Sequence, residues 1–165
     1  MNDIEALVRV LPLVSVEASA FTEGEPVSTV TDLVTIRFKI KYDHLKEKEF
    51  PGFVHSRRFP YLKKQSWWIL LTDATKEKTI LAHKLIFRAT KNTEGRLKKE
   101  DEIAKEPLNE ETFEFKQRFA QVGTFRFLAT FINDSYAGFE KETLLEFSVV
   151  KEDTTRVVEE YSLED

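Results

Sequence analysis

Apolar and polar residues alternate along several stretches of this chain, and the clearest stretch covers residues 32–42. Every second residue there is large and apolar, and most residues between them are polar or basic. Because successive side chains of a β-strand point to opposite faces, the alternation predicts a half-buried strand. Its expected inward face consists of Val34, Ile36, Phe38, Ile40 and Tyr42.

The same alternation recurs in the second half of the chain and predicts strands at residues 112–119, 124–133 and 142–151. The opposite face of the middle strand also carries Leu128 and Ile132, so we expect that face to be partly covered. The inward residues of the three strands are expected to be Phe113, Phe115, Phe119, Phe125, Phe127, Ala129, Phe131, Leu145, Phe147 and Val149.

The first half of the chain is less regular, but it predicts strands at residues 11–18, 66–73 and 79–90. Pro12 keeps the start of the first strand at a sheet edge, because proline cannot donate a ladder hydrogen bond. The apolar residues expected to pack from the third strand are Ile80, Ala82, Leu85 and Phe87.

The run Ser-Trp-Trp-Ile-Leu-Leu-Thr-Asp at residues 66–73 is continuously apolar between its polar ends. It is too short for a helix and predicts a central strand buried on both faces, with Leu70 in the core. Its neighbours Trp67 and Trp68 must point to opposite faces. We therefore expect one tryptophan in the core and the other outside, covered by a loop, a neighbouring domain or a partner.

These strands predict an all-β fold over residues 11–151, an immunoglobulin/fibronectin-III-like sandwich of about seven strands with long charged loops. The 14 phenylalanines, against 4 tyrosines and 2 tryptophans, favour strands as well. Residues 1–10 form an N-terminal extension, either a short helix or the remnant of a preceding domain. The acidic tail, residues 152–165, is either a linker or a short docked helix. The charged insert at residues 91–106 belongs to no predicted strand.

Composition excludes several function classes. The chain has no cysteine, which excludes disulfides, thiolate zinc sites and cysteine nucleophiles and fits a reducing compartment. The net charge of −4 does not favour nucleic acid in bulk. No apolar run is long enough for a transmembrane helix, and the acidic start of the chain does not resemble a signal peptide.

No catalytic constellation is visible in the sequence. His44, His55 and His83 are scattered and lack the spacing of a metal pair. The five glycines stand apart, so no phosphate-binding loop is formed, and no Gly-x-Ser-x-Gly elbow occurs. We therefore expect no enzyme activity, no cofactor, no metal and no small-molecule substrate.

Two charged groups and the tryptophan pair remain as binding candidates. The acidic residues Glu140, Glu142 and Glu146 near the last strand would suit a basic partner. A basic group surrounds a Phe-Pro-Tyr sequence without an intervening acid, which is typical of a solvated loop, of a protein or phospholipid headgroup site, or of nucleic-acid binding. The basic group consists of Arg57, Arg58, Lys63 and Lys64.

The sequence from Phe59-Pro60 through the paired tryptophans to Asp73, with Thr79–Lys84 after it, resembles the C-terminal fibronectin-III-like subdomain of Sec-sixty-three (Brl-type) domains. Asn-Asp-Ser-Tyr-Ala-Gly at residues 133–138 is similar to the Asp-Ser-Tyr-x-Gly turn of that family. The resemblance covers about residues 11–150, and the insert at residues 91–106 has no counterpart in it.

The resemblance implies a binding module in one of two settings. In the J-protein of the endoplasmic-reticulum Sec translocon, such a subdomain contacts the channel and other Sec-complex subunits on the cytosolic face of the membrane. In Ski-two-like RNA helicases of the nucleus it has a regulatory or scaffolding role, and nucleic acid would then be a partner. Gln65-Ser66 before the tryptophans is closer to the translocon version, whereas the helicases have Glu-Gly. Since a J-domain tripeptide and helicase motifs are both missing, we expect the chain to be part of a larger, membrane-anchored protein.

Overall fold

The structure is a computed structural model that describes residues 3–46, 49, 51–55, 58–75, 77–87 and 109–152. Its elements in chain order are one helix, α1 (Asp3–Val10), and eight strands. The strands are β1 (Val14–Phe21), β2 (Ser28–Thr29), β3 (Leu33–Tyr42), β4 (Ser66–Asp73), β5 (Lys78–Ile86), β6 (Glu110–Arg118), β7 (Gly123–Asn133) and β8 (Lys141–Val150). The predicted insert at residues 91–106 and the tail beyond residue 152 lie outside the described residues.

The strands form two sheets that pack as a sandwich. One sheet has three strands in the order β1-β3-β6, and the other has five in the order β2-β8-β7-β4-β5. All pairings are antiparallel except that of the two-residue β2 with the end of β8. The all-β, immunoglobulin-like sandwich predicted from the sequence is therefore confirmed, with seven long strands and one very short one.

The core lies where β3 faces β4 and β7. All five residues expected on the inward face of β3 are completely buried, as the alternation predicted. Phe38 stands at their centre, with its ring centroid 6.2 Å from those of both Phe113 and Phe131. Phe127 and Val149 are also buried, whereas Phe125 and Phe147 are half-buried and pack against the core. The core thus depends on rings that bury large apolar areas.

Strand β4 lies between β5 and β7, as expected for a central strand, but it is not buried on both faces. Trp67, Ile69 and Leu71 point into the sandwich and are completely buried. Leu70 and Trp68 point outward, so the expected core position of Leu70 is wrong. The continuous apolar run reflects a buried inner face together with an apolar outer face.

Strands β1 and β5 also differ from the sequence predictions. Strand β1 begins at Val14 rather than residue 11, because α1 continues to Val10 and residues 11–13 form the connection. In β5 the register with β4 shifts between Leu71 and Thr72, which leaves Ile80 as the extra residue of a β-bulge. The bulge reverses the alternation, so Ala82 is exposed on the outer face, contrary to expectation, while Leu85 and Phe87 remain inward and buried.

A buried chain of hydrogen bonds connects the two sheets with α1. The indole Nε1–H of Trp67 donates to the Tyr42 hydroxyl at 3.3 Å, and that hydroxyl donates to Gln65 Oε1 at 2.5 Å. Gln65 Nε2 then donates to the carbonyl oxygen of Val10 at 2.6 Å. Burial raises the pKa of Tyr42 far above its ordinary value, so its hydroxyl remains protonated as a donor. This series of hydrogen bonds gives each of these buried polar groups a partner.

Helix α1 lies against the sandwich where this series of hydrogen bonds ends, at Val10. His44 Nε2 donates to the Arg9 carbonyl at 3.2 Å, so two carbonyls of the last turn are bound by side chains. Arg9 also pairs with Glu49 at 3.5 Å. The N-terminal extension is thus a helix, one of the two alternatives left open by the sequence. Among the described residues, no helix has the length and apolar character needed to cross a bilayer.

We expect Phe127→Ala to destabilise the chain by about 3–5 kcal/mol, because the residue is 2% exposed and its loss would leave a cavity. Leu144→Ala on the neighbouring strand is the control, since that side chain is 60% exposed. Urea unfolding should give a strongly reduced midpoint for the first variant and a midpoint near that of the unmodified chain for the second.

Tyr42→Phe should cost about 1–3 kcal/mol, because it removes one hydroxyl and leaves Trp67 Nε1 and Gln65 Oε1 buried without that partner. The ring itself stays in place, so a packing defect would not account for the loss. An unchanged free energy of unfolding in urea would mean that the buried hydrogen bonds of the Tyr42 hydroxyl contribute no net stability.

Candidate protein-binding face

The two outer faces of the sandwich differ in chemistry. On the three-stranded sheet, cross-strand ion pairs cover the surface: Arg37 lies 2.7 Å from Glu114, and Lys39 lies 3.2 Å from Glu110. Such a charged ladder is what a solvated sheet face normally presents. This outer face is therefore a poor candidate for burying a partner.

The outer face of the five-stranded sheet is apolar over its centre. The pairing registers place outward residues of β5, β4, β7 and β8 side by side. We call this surface the apolar face, and its residues are Trp68, Leu70, Ile86, Leu128, Ile132 and Leu144. Trp68 is 40% exposed, Ile86 52% and Leu144 60%. Apolar side chains that neighbouring strands present together on one outer sheet face are candidates for an interaction site.

Trp68 is the largest residue of the apolar face. Its cross-strand neighbours are Lys84 on β5 and Ile132 on β7. The Lys84 ammonium lies 5.6 Å from the centroid of the indole ring, within the range of a cation–π contact. Trp67, the other sequence candidate, is completely buried in the core, so only Trp68 of the pair can meet a partner.

The carboxylate of Asp134 holds Lys84 in this position. One oxygen, Oδ2, lies 3.0 Å from Lys84 Nζ and 3.2 Å from Lys63 Nζ, and it accepts a hydrogen bond from Ser66 at 2.5 Å. The other oxygen, Oδ1, accepts a hydrogen bond from Ser135 at 2.6 Å. Strands β4 and β5, the segment before β4 and the turn after β7 therefore meet at one side chain.

Two opposing effects act on the pKa of the Asp134 carboxyl. Burial by itself raises it, but the hydrogen bonds from Ser135, Ser66, Lys84 and Lys63 together outweigh burial. The pKa therefore lies far below its ordinary value, and the group is ionised throughout the physiological range. A permanently charged carboxylate is what two ammonium partners require.

The turn that carries Asp134 is built by its own sequence. Asn133 Oδ1 accepts the backbone N–H groups of Ser135 and Tyr136, both at 2.9 Å, which is the geometry of an Asx turn. Gly138 has a φ of 86°, a conformation that favours glycine. The Tyr136 hydroxyl accepts the backbone N–H of His55 at 2.9 Å and ties the preceding loop to the turn.

The structure describes three members of the basic group predicted from the sequence, and one of them, Lys63, is held by a carboxylate. Arg57 lies outside the described residues, and Lys63 is engaged by Asp134 and lies 5.8 Å from the Phe59 ring centroid. Lys64 is half-buried, and its backbone forms a bridge with Phe53. Arg58 is exposed. Engagement of Lys63 by a carboxylate weakens the case for nucleic acid at this surface.

The three acidic candidates lie beside the apolar face but differ in charge balance. Glu146 forms an ion pair with Arg126 at 2.6 Å, so it adds little net charge. Glu142 accepts a hydrogen bond from Thr130 at 3.4 Å, and Glu140 accepts one from the Gly138 N–H at 3.4 Å. Within the described residues neither of these two carboxylates forms an ion pair. The β8 side of the face is therefore negative.

The contact between Lys84 and Asp134 is a feature of the candidate site that sequence reasoning missed. Asp134 belonged to a quoted turn, and Lys84 to a quoted strand, but nothing in the sequence indicated that they meet. Lys84 lies on the outer face of β5 opposite Trp68, and only the pairing of β4 with both β5 and β7 brings it near the turn. The short interval between the predicted strands at residues 66–73 and 79–90 was the one usable signal, because it favours their pairing and so the approach of Lys84 to Trp68.

Comparison with known proteins gives a partial picture. No family model matches the chain. The chain is 28% identical over 91 residues to the DnaJ protein ERDJ2A of Arabidopsis thaliana; the match covers 53% of this chain and 12% of that relative. The chain is thus similar to a DnaJ protein over about half of its length and spans about an eighth of that relative.

Among solved structures, the CARDB domain of the PF1109 protein from Pyrococcus furiosus, solved in complex with di-metal ions, is similar in shape. The TM-score is 0.44 and the identity 13%, with 86% of this chain and 98% of that chain covered. Within the part of this chain that the structure describes, no group of three or more His, Asp or Glu side chains could hold a metal ion.

The Asp134 cluster predicts a pH-dependent stability. Because its pKa is lower in the folded chain than in the unfolded one, ionised Asp134 stabilises the fold above about pH 4, and this contribution is lost as the pH falls further. Asp134→Asn should thus be less stable than the unmodified chain at pH 7, and the gap should narrow at pH 3. Urea midpoints at both pH values measure it.

The variant Glu142→Gln serves as the control for that comparison, because the Glu142 side chain is exposed and forms no ion pair with any residue that the structure describes. A gap for Asp134→Asn that stays constant from pH 7 to pH 3 would contradict the assignment of a charged role to Asp134.

Proposed function

We propose that the chain is a non-catalytic protein-interaction module of the Sec translocation machinery. In this role it supports post-translational import of polypeptides into the endoplasmic reticulum by contacting the channel and other Sec-complex subunits on the cytosolic side. The resemblance of its tryptophan strand and Asp-Ser-Tyr-x-Gly turn supports the proposal, as does the match to a DnaJ protein. Since that match covers 12% of the relative, the activity of a whole parent protein is part of the proposal.

The apolar face is the single observation that carries this function. It exposes Trp68 on β4, Ile86 on β5 and Leu144 on β8, whereas ion pairs such as Arg37–Glu114 lie on the outer face of the three-stranded sheet. Partly exposed tryptophans are enriched among the residues that dominate binding energy at protein interfaces. A flat sheet with an aromatic residue near its centre and charges at its rim has the composition of a protein interface.

Charge indicates which kind of partner fits. Glu140 and Glu142, which form no ion pair among the described residues, contribute negative charge to the β8 rim of the face. Cytosolic loops of membrane channels carry an excess of lysine and arginine. A basic channel loop with apolar residues would therefore complement both the rim and the centre of the face, and the charge contribution would mainly accelerate association.

We expect a synthetic peptide copied from a basic cytosolic loop of a Sec channel to bind the chain, with an affinity that falls as salt is added. Trp68→Ala should weaken binding by about tenfold or more, because it removes the central aromatic contact. Leu33→Ala is the matched control, since Leu33 is 47% exposed but belongs to the three-stranded sheet. Titration by calorimetry measures all three proteins.

Single-stranded RNA titrated in parallel tests the helicase alternative. Salt-sensitive RNA binding that is lost on neutralising Arg57, Arg58, Lys63 and Lys64, together with no binding of the channel loop, would overturn the proposal. Loop binding that is identical in the Trp68→Ala and unmodified chains would place the interaction on another surface.

A further inference from the structure

We propose that Asp134 is a positioning residue of the apolar face: its carboxylate holds the Lys84 ammonium over Trp68 and thereby fixes the ring in the orientation that a partner meets. The inference rests on the proposed function in taking Trp68 as the binding anchor. It assigns a role to the Asn-Asp-Ser turn, a motif that the binding function alone does not use.

The position of the Asp134 carboxylate is itself well fixed. Its side chain is only 9% exposed, and each of its two oxygens accepts a separate hydroxyl hydrogen bond, from Ser66 and from Ser135. A second anchor is the backbone, where the Asp134 N–H donates to the Ser66 carbonyl at 3.0 Å. The carboxylate therefore acts as a rigid point to which a mobile cation can be held.

Lys84 is the mobile part. Its side chain is 41% exposed, and a four-carbon lysine stem samples many rotamers when nothing holds its end. The contact with Asp134 at 3.0 Å limits that freedom and keeps the ammonium 5.6 Å from the Trp68 ring centroid. The cation attracts the ring and covers part of it, which favours one ring orientation before a partner arrives.

The same carboxylate organises a second aromatic residue in the same way. Its Oδ2 oxygen lies 3.2 Å from Lys63 Nζ, and that ammonium lies 5.8 Å from the Phe59 ring centroid. Phe59 in turn packs edge-on against Tyr61 at 4.7 Å. The Asp134 carboxylate thus holds two lysines, each of which contacts an aromatic ring: Lys84 contacts Trp68, and Lys63 contacts Phe59.

Acrylamide quenching of tryptophan fluorescence tests the proposal in the free chain. Trp67 is completely buried, so the quenchable emission comes from Trp68, and Trp68→Phe should remove it. A neutral quencher is required because iodide would respond to the charge of Lys84. We expect Asp134→Asn to raise the quenching constant by about twofold, the effect of releasing a weak cation–π contact at an exposed site.

Lys84→Gln should give the same increase, and it leaves Asp134 with Lys63, Ser66 and Ser135, so the fold does not depend on it. Lys84→Arg should restore the original quenching, because arginine keeps the charge and also stacks on aromatic rings. A merely structural role of Asp134 would not produce this pattern of loss and rescue. Unchanged quenching in both Asp134→Asn and Lys84→Gln would overturn the proposal.

The channel-loop titration separates this inference from the proposed function. If the loop binds and Trp68→Ala abolishes binding, we expect Asp134→Asn and Lys84→Gln to weaken it by about two- to fivefold, with rescue in Lys84→Arg. Full affinity in both variants would overturn the positioning role while the proposed function stands. If no loop binds, the proposed function fails, and the quenching pattern still decides whether Asp134 positions Trp68.

Discussion

The hydroxyl group of Tyr42 is the point on which the rest of the structure depends. It accepts from Trp67 in one sheet and donates to Gln65, whose amide reaches the last turn of α1. The burial of apolar surface in an immunoglobulin-like core does not by itself fix how the two sheets are oriented, because the hydrophobic effect is non-directional. The buried hydrogen bonds supply that direction: they fix how the two sheets meet at one end, and they orient the start of β4. Trp67 is then held inward, which leaves Trp68 on the opposite face of the same strand.

The two faces of β4 also separate residues that stabilise the core from residues of the proposed binding face. The inner face of β4 contributes Trp67, Ile69 and Leu71 to the core, and its outer face contributes Trp68 and Leu70 to the surface. A substitution on the outer face therefore changes the exposed surface with little effect on folding, whereas one on the inner face removes buried contacts of the core. Asp134 contacts both groups of residues, because its carboxylate accepts a hydrogen bond from the buried Ser66 and pairs with the surface residue Lys84.

Alternation in the sequence was sufficient to predict the sandwich and the inward face of β3, because a strand with one polar face has a single consistent burial pattern. It was insufficient for β4, since an apolar outer face and a buried one read alike in the sequence. It also failed in β5, where the bulge at Ile80 changes the parity of all later residues. The cluster at Asp134 could not be predicted, because its members are separated by long stretches of chain and meet only through strand pairing.

The bulge in β5 also limits self-association. In the described part of the chain β5 is the last strand of its sheet, so an open row of backbone groups borders an apolar surface. Straight apolar edge strands pair readily with copies of themselves and lead to aggregation, whereas bulges and lysines at an edge oppose such pairing. β5 has both, with Ile80 bulged and with Lys78 and Lys84 near its two ends. An apolar outer face can thus stay exposed while the neighbouring edge resists sheet extension.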